Sequence, residues 1–419
     1  MNKLPDGWEE KYIEEVFEIR KNYTNARKDL DNNSNISYLH YGDIHKYYQH
    51  KLDCKNISLP KISENKLSKD INKLELVKNG DLIVVDVSED YKGICSSVEV
   101  KNLSYKLVSG LHTLLLRDKG NYFADGYKGY IFYNHNVHKE CCKVVTGISV
   151  YGINRKNFKK IKIPIPPLDE QKRIASALSK IDAYLENTIK LIEEKERFKR
   201  GIAKKLLTCK EGENIPEARF KGFEDEWEIV KLGDMFDNFK EKNNEDKIIL
   251  ASTIDKGVIP NSLTERKIIR KKESLSNYKL VKKGCFVISL MSFQSGFEYS
   301  DYEGIISPAY TVLKPKIEMA HYFYKYYFKS FKFIKDLRPY AEGIRHGKQI
   351  KFKACKDILV PYPSIEEQEK IGGYLSLLDK EIDNLKKQKE LIKEMKRGAM
   401  QKLLSGEVRL SKNAFNENI

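Results

Sequence analysis

No apolar run in this 419-residue chain approaches the length of a membrane span, which argues against a helical membrane protein. The first residues, MNKLPDGWEEK, carry no apolar signal region either. Seven cysteines (Cys54, Cys95, Cys141, Cys142, Cys209, Cys285 and Cys355) make an odd number without a C-x-x-C pair. That pattern provides no disulfide framework, and free thiols without an export signal point to a reducing cytoplasm. The catalytic signatures are missing too. There is no GxxxxGK[ST] and so no phosphate-cradling loop of that type. No Asn- or Asp-Pro-Pro-aromatic tetrapeptide occurs, and PIPP at 164–167 lacks the polar residue that would hold an exocyclic amine. A nuclease would have to use Pro5-Asp6 and Glu9-Glu10-Lys11, carboxylates too close in sequence to come from separate strands. One group, His135, His138, Cys141 and Cys142, has metal-ligating chemistry. Adjacent cysteines suit a single ion poorly and no distal pair completes the set, so a polar loop entering a strand is expected there, without a metal.

Tryptophan is equally scarce, and its two occurrences open the way into what is present. Trp8 and Trp227 each head a W-E-x-x-x-I/L-x-x-x-F pattern. Downstream of each, a longer segment recurs: residues 164–207 return at 361–404, 197 positions later (361 minus 164). Pro164, Pro166, Glu170, Gln171, Ile174, Leu178, Asp182, Arg200, Gly201 and Leu206 all find an identical partner, and no gap is needed across the match. The chain is therefore one unit written twice, each copy a variable body followed by a fixed tail.

Both tails read as helices. Apolar residues fall at Ile174, Leu178, Ile181, Leu185 and Ile192, then again at Ile371, Leu375, Leu378, Ile382, Leu385 and Ile392. Steps of four and three make the seam of a coiled coil, and helices of about 36–40 residues, too long for a domain core, are expected to pack on each other. Thr188 and Lys195 interrupt the seam in the first copy. Gly201 and Gly398, each in a KRG triplet, suggest close packing or a bend near the far end.

The bodies read as mixed α/β. Strand-like runs include NISYLHYGDI, LVKNGDLIVVDVS, LHTLLLRD and YKGYIFYN in the first, and KIILASTID, LVKKGCFVISLMS and GIISPAYTVLKP in the second. HYFYKYYFKSFKFIKDL is the clearest helical stretch. Trp8 to Gln171 spans 163 positions and Trp227 to Gln368 spans 141, so the first body carries 22 more residues. A shared scaffold with different loops is the pattern of two modules reading different targets.

A net charge of +16, spread along the chain, favours a nucleic acid as partner, since distributed cations release phosphate counterions. Candidate readers in the first body are Tyr38, His40, Tyr41 and Lys46, in a stretch that also contains His45, with Ser149 and Tyr151 further on. In the second they are Ser252, Thr253, Ser292, Gln294 and Ser295, and a basic loop with Arg345, His346 and Lys348. Gln and Arg are the side chains able to contact adenine and guanine edges through two bonds.

With the W-E-x-x-x-L opening, the P-x-P-x-x-E-Q strand end, the long helix closing in K-R-x-x-x-x-K-L-L and the repetition of the whole, the chain resembles the specificity subunit of a Type I restriction–modification system. The resemblance implies two target-recognition domains of mixed sheet and helix, separated by two long helices in an antiparallel coiled coil with a pseudo-two-fold repeat. Their boundaries are expected at 1–165 and 227–362, with helices at 166–208 and 363–408, a linker at 209–226 and a tail at 409–419. It further implies that each domain reads half of an interrupted DNA sequence while helix length sets the spacing. Two methyltransferase subunits would dock on the chain, and restriction subunits acting as translocase and nuclease would join them. S-adenosylmethionine, ATP and Mg would be bound by those partners, none by this chain, and no membrane is involved. The alternative is a stand-alone regulator with tandem DNA-binding domains.

Overall fold

The computed structural model describes residues 4–48, 50–55, 57–67, 73–264, 272–288, 295–342 and 349–411. Contacts divide the chain into two units, 1–188 with 388–419, and 189–387.

In the first unit a five-stranded sheet runs Phe17–Arg20, Thr113–Asp118, Leu82–Val85, Ser97–Lys101, His50–Asp53. Its first four strands are antiparallel, and His50–Asp53 joins in parallel. The central strand, Leu-Ile-Val-Val, is buried on both faces, as expected of a β-branched run covered on both sides. In the second unit a four-stranded sheet repeats the order: Phe236–Phe239, Thr311–Pro315, Phe286–Ile288, Phe297–Tyr299. Thus the matching LVKNGD and LVKKGC segments enter equivalent central strands. The first body adds the parallel fifth strand and a three-stranded sheet of Lys61–Ile62, Ile36–Leu39 and Leu107–Ser109.

Each body is closed by a two-stranded ribbon that brings the strand after the tryptophan to the proline-rich strand before the helix. Glu9–Tyr12 pairs with Lys162–Ile165, and Glu228–Lys231 with Leu359–Tyr362. The reason that E-Q survives in both copies lies just beyond. Trp8 donates its indole N–H to Glu170 (3.1 Å) and Trp227 donates to Glu367 (2.9 Å). Each glutamate also receives a guanidinium through two bonds, from Arg409 and from Arg219. The following glutamine binds backbone only: Gln171 accepts from Ala124 N–H and donates to the Pro166 and Tyr122 carbonyls, while Gln368 accepts from Ala320 N–H and donates to the Pro363 carbonyl. Because Glu367 is 1% exposed, Glu367→Ala strands a guanidinium and an indole N–H without their acceptor. A loss of about 3–5 kcal/mol is expected. Urea unfolding followed by Trp227 fluorescence measures it, and a midpoint unchanged from the parent would contradict this account.

The long helices are Leu168–Leu207 and Ile365–Ser405. Their seam residues divide their work. Ile174 and Leu178 belong to the first unit's core, together with Leu403 and Leu404 from the end of the second helix. Ile371, Leu375 and Leu378 enter the second unit's core with Leu206 and Leu207. The helices thus pack on each other and, in their first turns, also form part of a body. Further along, ion pairs join the helices in opposite directions. Asp182 meets Lys396 at 2.6 Å in the first unit, and Lys195–Glu381, Glu196–Lys386 and Lys199–Asp379 lie in the second. Ile192, Ile382 and Ile392 are buried, and Ile181, Leu185 and Leu385 half-buried. The two seam interruptions are satisfied, Lys195 by Glu381 and Thr188 by its hydroxyl donating to the Tyr184 carbonyl.

Three expectations change. Gly201 and Gly398 face open space, so close packing does not explain them, and both helices continue through them. YKGYIFYN forms a 3-10 helix at Lys128–Tyr133, not a strand. HYFYKYYFKSFKFIKDL makes two helices, His321–Tyr327 and Phe331–Leu337, because Ser330 caps the second by accepting from Phe333 N–H.

Candidate nucleic-acid interface

The first unit's candidate surface starts where the buried strand Ile36–Leu39 ends. Tyr38 is fully buried, and its hydroxyl is engaged by the Leu111 N–H and the carbonyls of Tyr23 and Asn25. Burial pushes its phenol up to about 12. It holds a loop and cannot reach a base, which corrects its assignment as a reader. His40 is also buried and acts as the N-cap of the helix Tyr41–Tyr47, its Nδ1 accepting from Gly42 N–H at 3.1 Å. Burial, reinforced by the Arg27 charge, lowers its pKa, so the ring stays a neutral acceptor. Arg27 itself bonds Asp43, which caps the His40 N–H.

Tyr41 is the first accessible group. Its ring lies 4.5 Å from His40, 6.0 Å from His45 and 5.3 Å from His112, the last two edge-on. His45 and Lys46 are exposed on the same short helix. His45 Nε2 sits 3.4 Å from the Val87 carbonyl, linking this helix to the strand Val87–Ser88. That strand pairs with Tyr151–Gly152. Candidates more than a hundred residues apart, Tyr41 and Lys46 on one side and Ser149 and Tyr151 on the other, are thus brought onto one surface. Gly93 is required for the fit, since a Cβ there would lie 2.4 Å from Ser88 Oγ and 2.8 Å from His45.

Groups the sequence reading passed over complete the patch. His112 has a left-handed backbone (φ +56°) and places Nδ1 3.6 Å from Asp86. Burial raises the Asp86 carboxyl, against the opposing pull of His112 and Arg155. Tyr91 packs against Tyr151 with ring centroids 4.2 Å apart and the rings tilted by 33°, and Arg155 donates to Asn22. Isolated polar residues in loops carry no periodic signal, so only the pairing of distant strands reveals them.

In the second unit Thr253 donates to the Gly257 carbonyl, closing a tight hairpin in which Gly257 has φ +74°. Ser252 is half-buried, and Ser295 is buried, which corrects its assignment to an open reading loop. Ser292, Gln294, Arg345, His346 and Lys348 lie outside the described residues.

The histidine–cysteine group does not form a loop. His135–Lys143 is a helix with its N–H groups capped by Asn134, and Cys142 lies 3.6 Å from His138 while Cys141 is buried. Among the described residues, no three His, Cys, Asp or Glu side chains are arranged to hold a metal ion, and no helix is long and apolar enough to cross a membrane.

Two mixed α/β units, each tied to long helices through a repeated Trp–Glu–Arg clamp and each with its own outer loops, define a duplicated recognition protein. The chain matches the Type I restriction modification DNA specificity domain twice, over residues 5–194 and 224–394, and belongs to that family. It is 27% identical over 428 residues to the putative type I restriction enzyme MjaX specificity subunit of Methanocaldococcus jannaschii, covering 98% of this chain and 96% of that protein. The MjaVIII specificity subunit of the same organism is 26% identical over 378 residues, 84% of each. Among solved structures, the S subunit of a Type-I restriction-modification system from M. genitalium aligns over 96% of this chain and 97% of its own, with 16% identity and a TM-score of 0.53. The HsdS subunit from Thermoanaerobacter tengcongensis aligns over 97% and 98%, with 16% identity and a TM-score of 0.52. At that identity, both likenesses concern the fold.

Proposed function

We propose that this chain is the DNA-reading, non-catalytic specificity subunit of a Type I restriction–modification complex. Each body reads one half of an interrupted sequence, and the fixed segments serve partners common to both halves. Two methyltransferase subunits bind S-adenosylmethionine and methylate adenine, and restriction subunits bind ATP and Mg. The observation that carries this reading is the combination of one repeated frame with divergent outer segments. Trp–Glu–Arg clamps and central sheet order recur in both units, whereas the segments around Tyr41 and Tyr151 differ in sequence from those of the second. A net charge of +16 supports binding to a polyanion.

Methylome sequencing of cells expressing this chain with its methyltransferase tests the reading directly. A bipartite motif with a fixed spacer is expected, and it should vanish when the chain is deleted. An unchanged methylome would overturn it. The purified chain alone, mixed with labelled S-adenosylmethionine and unmodified DNA, is expected to transfer no methyl group. Label on DNA from the pure chain would refute the division of labour.

A further inference from the structure

We propose that the hairpin 146–152 enters the major groove of the first half-site and that Ile148 and Val150 read a thymine C5-methyl group there. This rests on the DNA-reading role proposed above and names residues that perform it.

The hairpin is built, not loose. Thr146 and Gly152 exchange both backbone hydrogen bonds, at 2.9 and 2.8 Å. Gly147 has φ +116°, and a Cβ there would lie 1.9 Å from the Val150 carbonyl oxygen, so the turn excludes any side chain at that position. Its base is anchored by the pairing of Tyr151–Gly152 with Val87–Ser88 and by buried Ile153. Yet Ile148 is 93% exposed and Val150 53%. Two β-branched apolar side chains held in water at a fixed tip lose hydrophobic free energy until something covers them.

Duplex DNA fits that cover. A major groove about 12 Å wide admits a two-stranded ribbon, and the one apolar feature on its floor is the thymine methyl. The next helix, Arg155–Lys159, follows the hairpin directly with Arg155, Lys156 and Lys159 at the surface, cations placed to meet flanking phosphates. A protein partner fits less well. In the second body the corresponding stretch reads Gly-Ile-Arg-His-Gly-Lys at 343–348, against Gly-Ile-Ser-Val-Tyr-Gly at 147–152. Identical subunits docking on both repeats would hold the two tips to one chemistry. Two different half-sites require them to diverge.

The test uses the full chain assembled with its methyltransferase subunits on duplexes bearing the methylated motif. Each thymine in the first half is replaced singly by deoxyuridine, which removes only the methyl. At one position, affinity is expected to fall about fourfold, the worth of one buried methyl-sized group. An Ile148→Ser/Val150→Ser chain should be indifferent to that replacement, and Ile148→Val should retain the discrimination. Both side chains lie in solvent, so thermal unfolding should not change. Uracil tolerated throughout, a first half without an A·T pair, or a doubly substituted chain that keeps uracil sensitivity but loses its methyltransferase partner would each overturn the proposal. The last result would mark the tip as a protein-docking element. A methylome without a bipartite motif would remove the DNA-reading role itself, a failure distinct from uracil tolerance on a motif that is read.

Discussion

Replacing residues 20–160 with the matching body of a relative is expected to change the first half of the methylated motif completely and leave the second half intact. The junctions follow from the fold. Arg20 ends the strand Phe17–Arg20, and Lys160 precedes the strand Lys162–Ile165, so the closing ribbon and the Trp8–Glu170 bond stay with the recipient. Gln171 bonds the incoming body only through the Ala124 N–H and Tyr122 carbonyl, backbone groups that any body of the same course supplies. One side-chain hydrogen bond between body and helix recurs in both units: the Tyr130 hydroxyl donates to Asp182 at 2.7 Å, as Tyr326 donates to Asp379 in the second unit. The donor body should therefore carry tyrosine there. Methylome sequencing gives the answer, and a change in both halves would show that the bodies do not read independently.

The second large effect concerns the helices. Four residues inserted after Leu185 add about 6 Å of helix, close to two base pairs of duplex. Four residues is a stutter that keeps the apolar seam roughly in phase. Asp182–Lys396 is formed by residues before the insertion in the first helix, while Lys195–Glu381 and Glu196–Lys386 use residues after it. A matching insertion after Lys387 in the second helix would let both sets re-form, whereas a single insertion forces that helix to slip or bulge. A folded double-insertion complex is expected to methylate the same half-sites with a longer spacer. An unchanged spacer in a stable, active complex would mean that something else sets the distance.

Much of this was legible in the residues because repetition does not depend on folding. The identical Glu170 and Glu367, Gln171 and Gln368, and Asp182 and Asp379 announce a duplicated structural device before any contact is known. The apolar steps of four and three locate both long helices, and the shared LVKNGD and LVKKGC segments locate equivalent central strands. Composition and charge indicate a polyanionic partner. What periodicity could not provide is burial. Tyr38 and Tyr41 stand three residues apart in one aromatic run, yet one is sealed beneath a loop and the other only half-buried beside His45, because the strand ends and a helix begins at His40 between them. The clamp arginines were equally hidden: Arg219 precedes its glutamate by 148 residues and Arg409 follows its own by 239, so no common spacing relates them. Sequence alone determined the duplicated frame, since its signals are local and repeat. Only tertiary structure decided which polar groups face solvent and which distant residues share a surface, because that depends on pairings such as Val87–Ser88 with Tyr151–Gly152, formed between segments with no mark of one another in their residues.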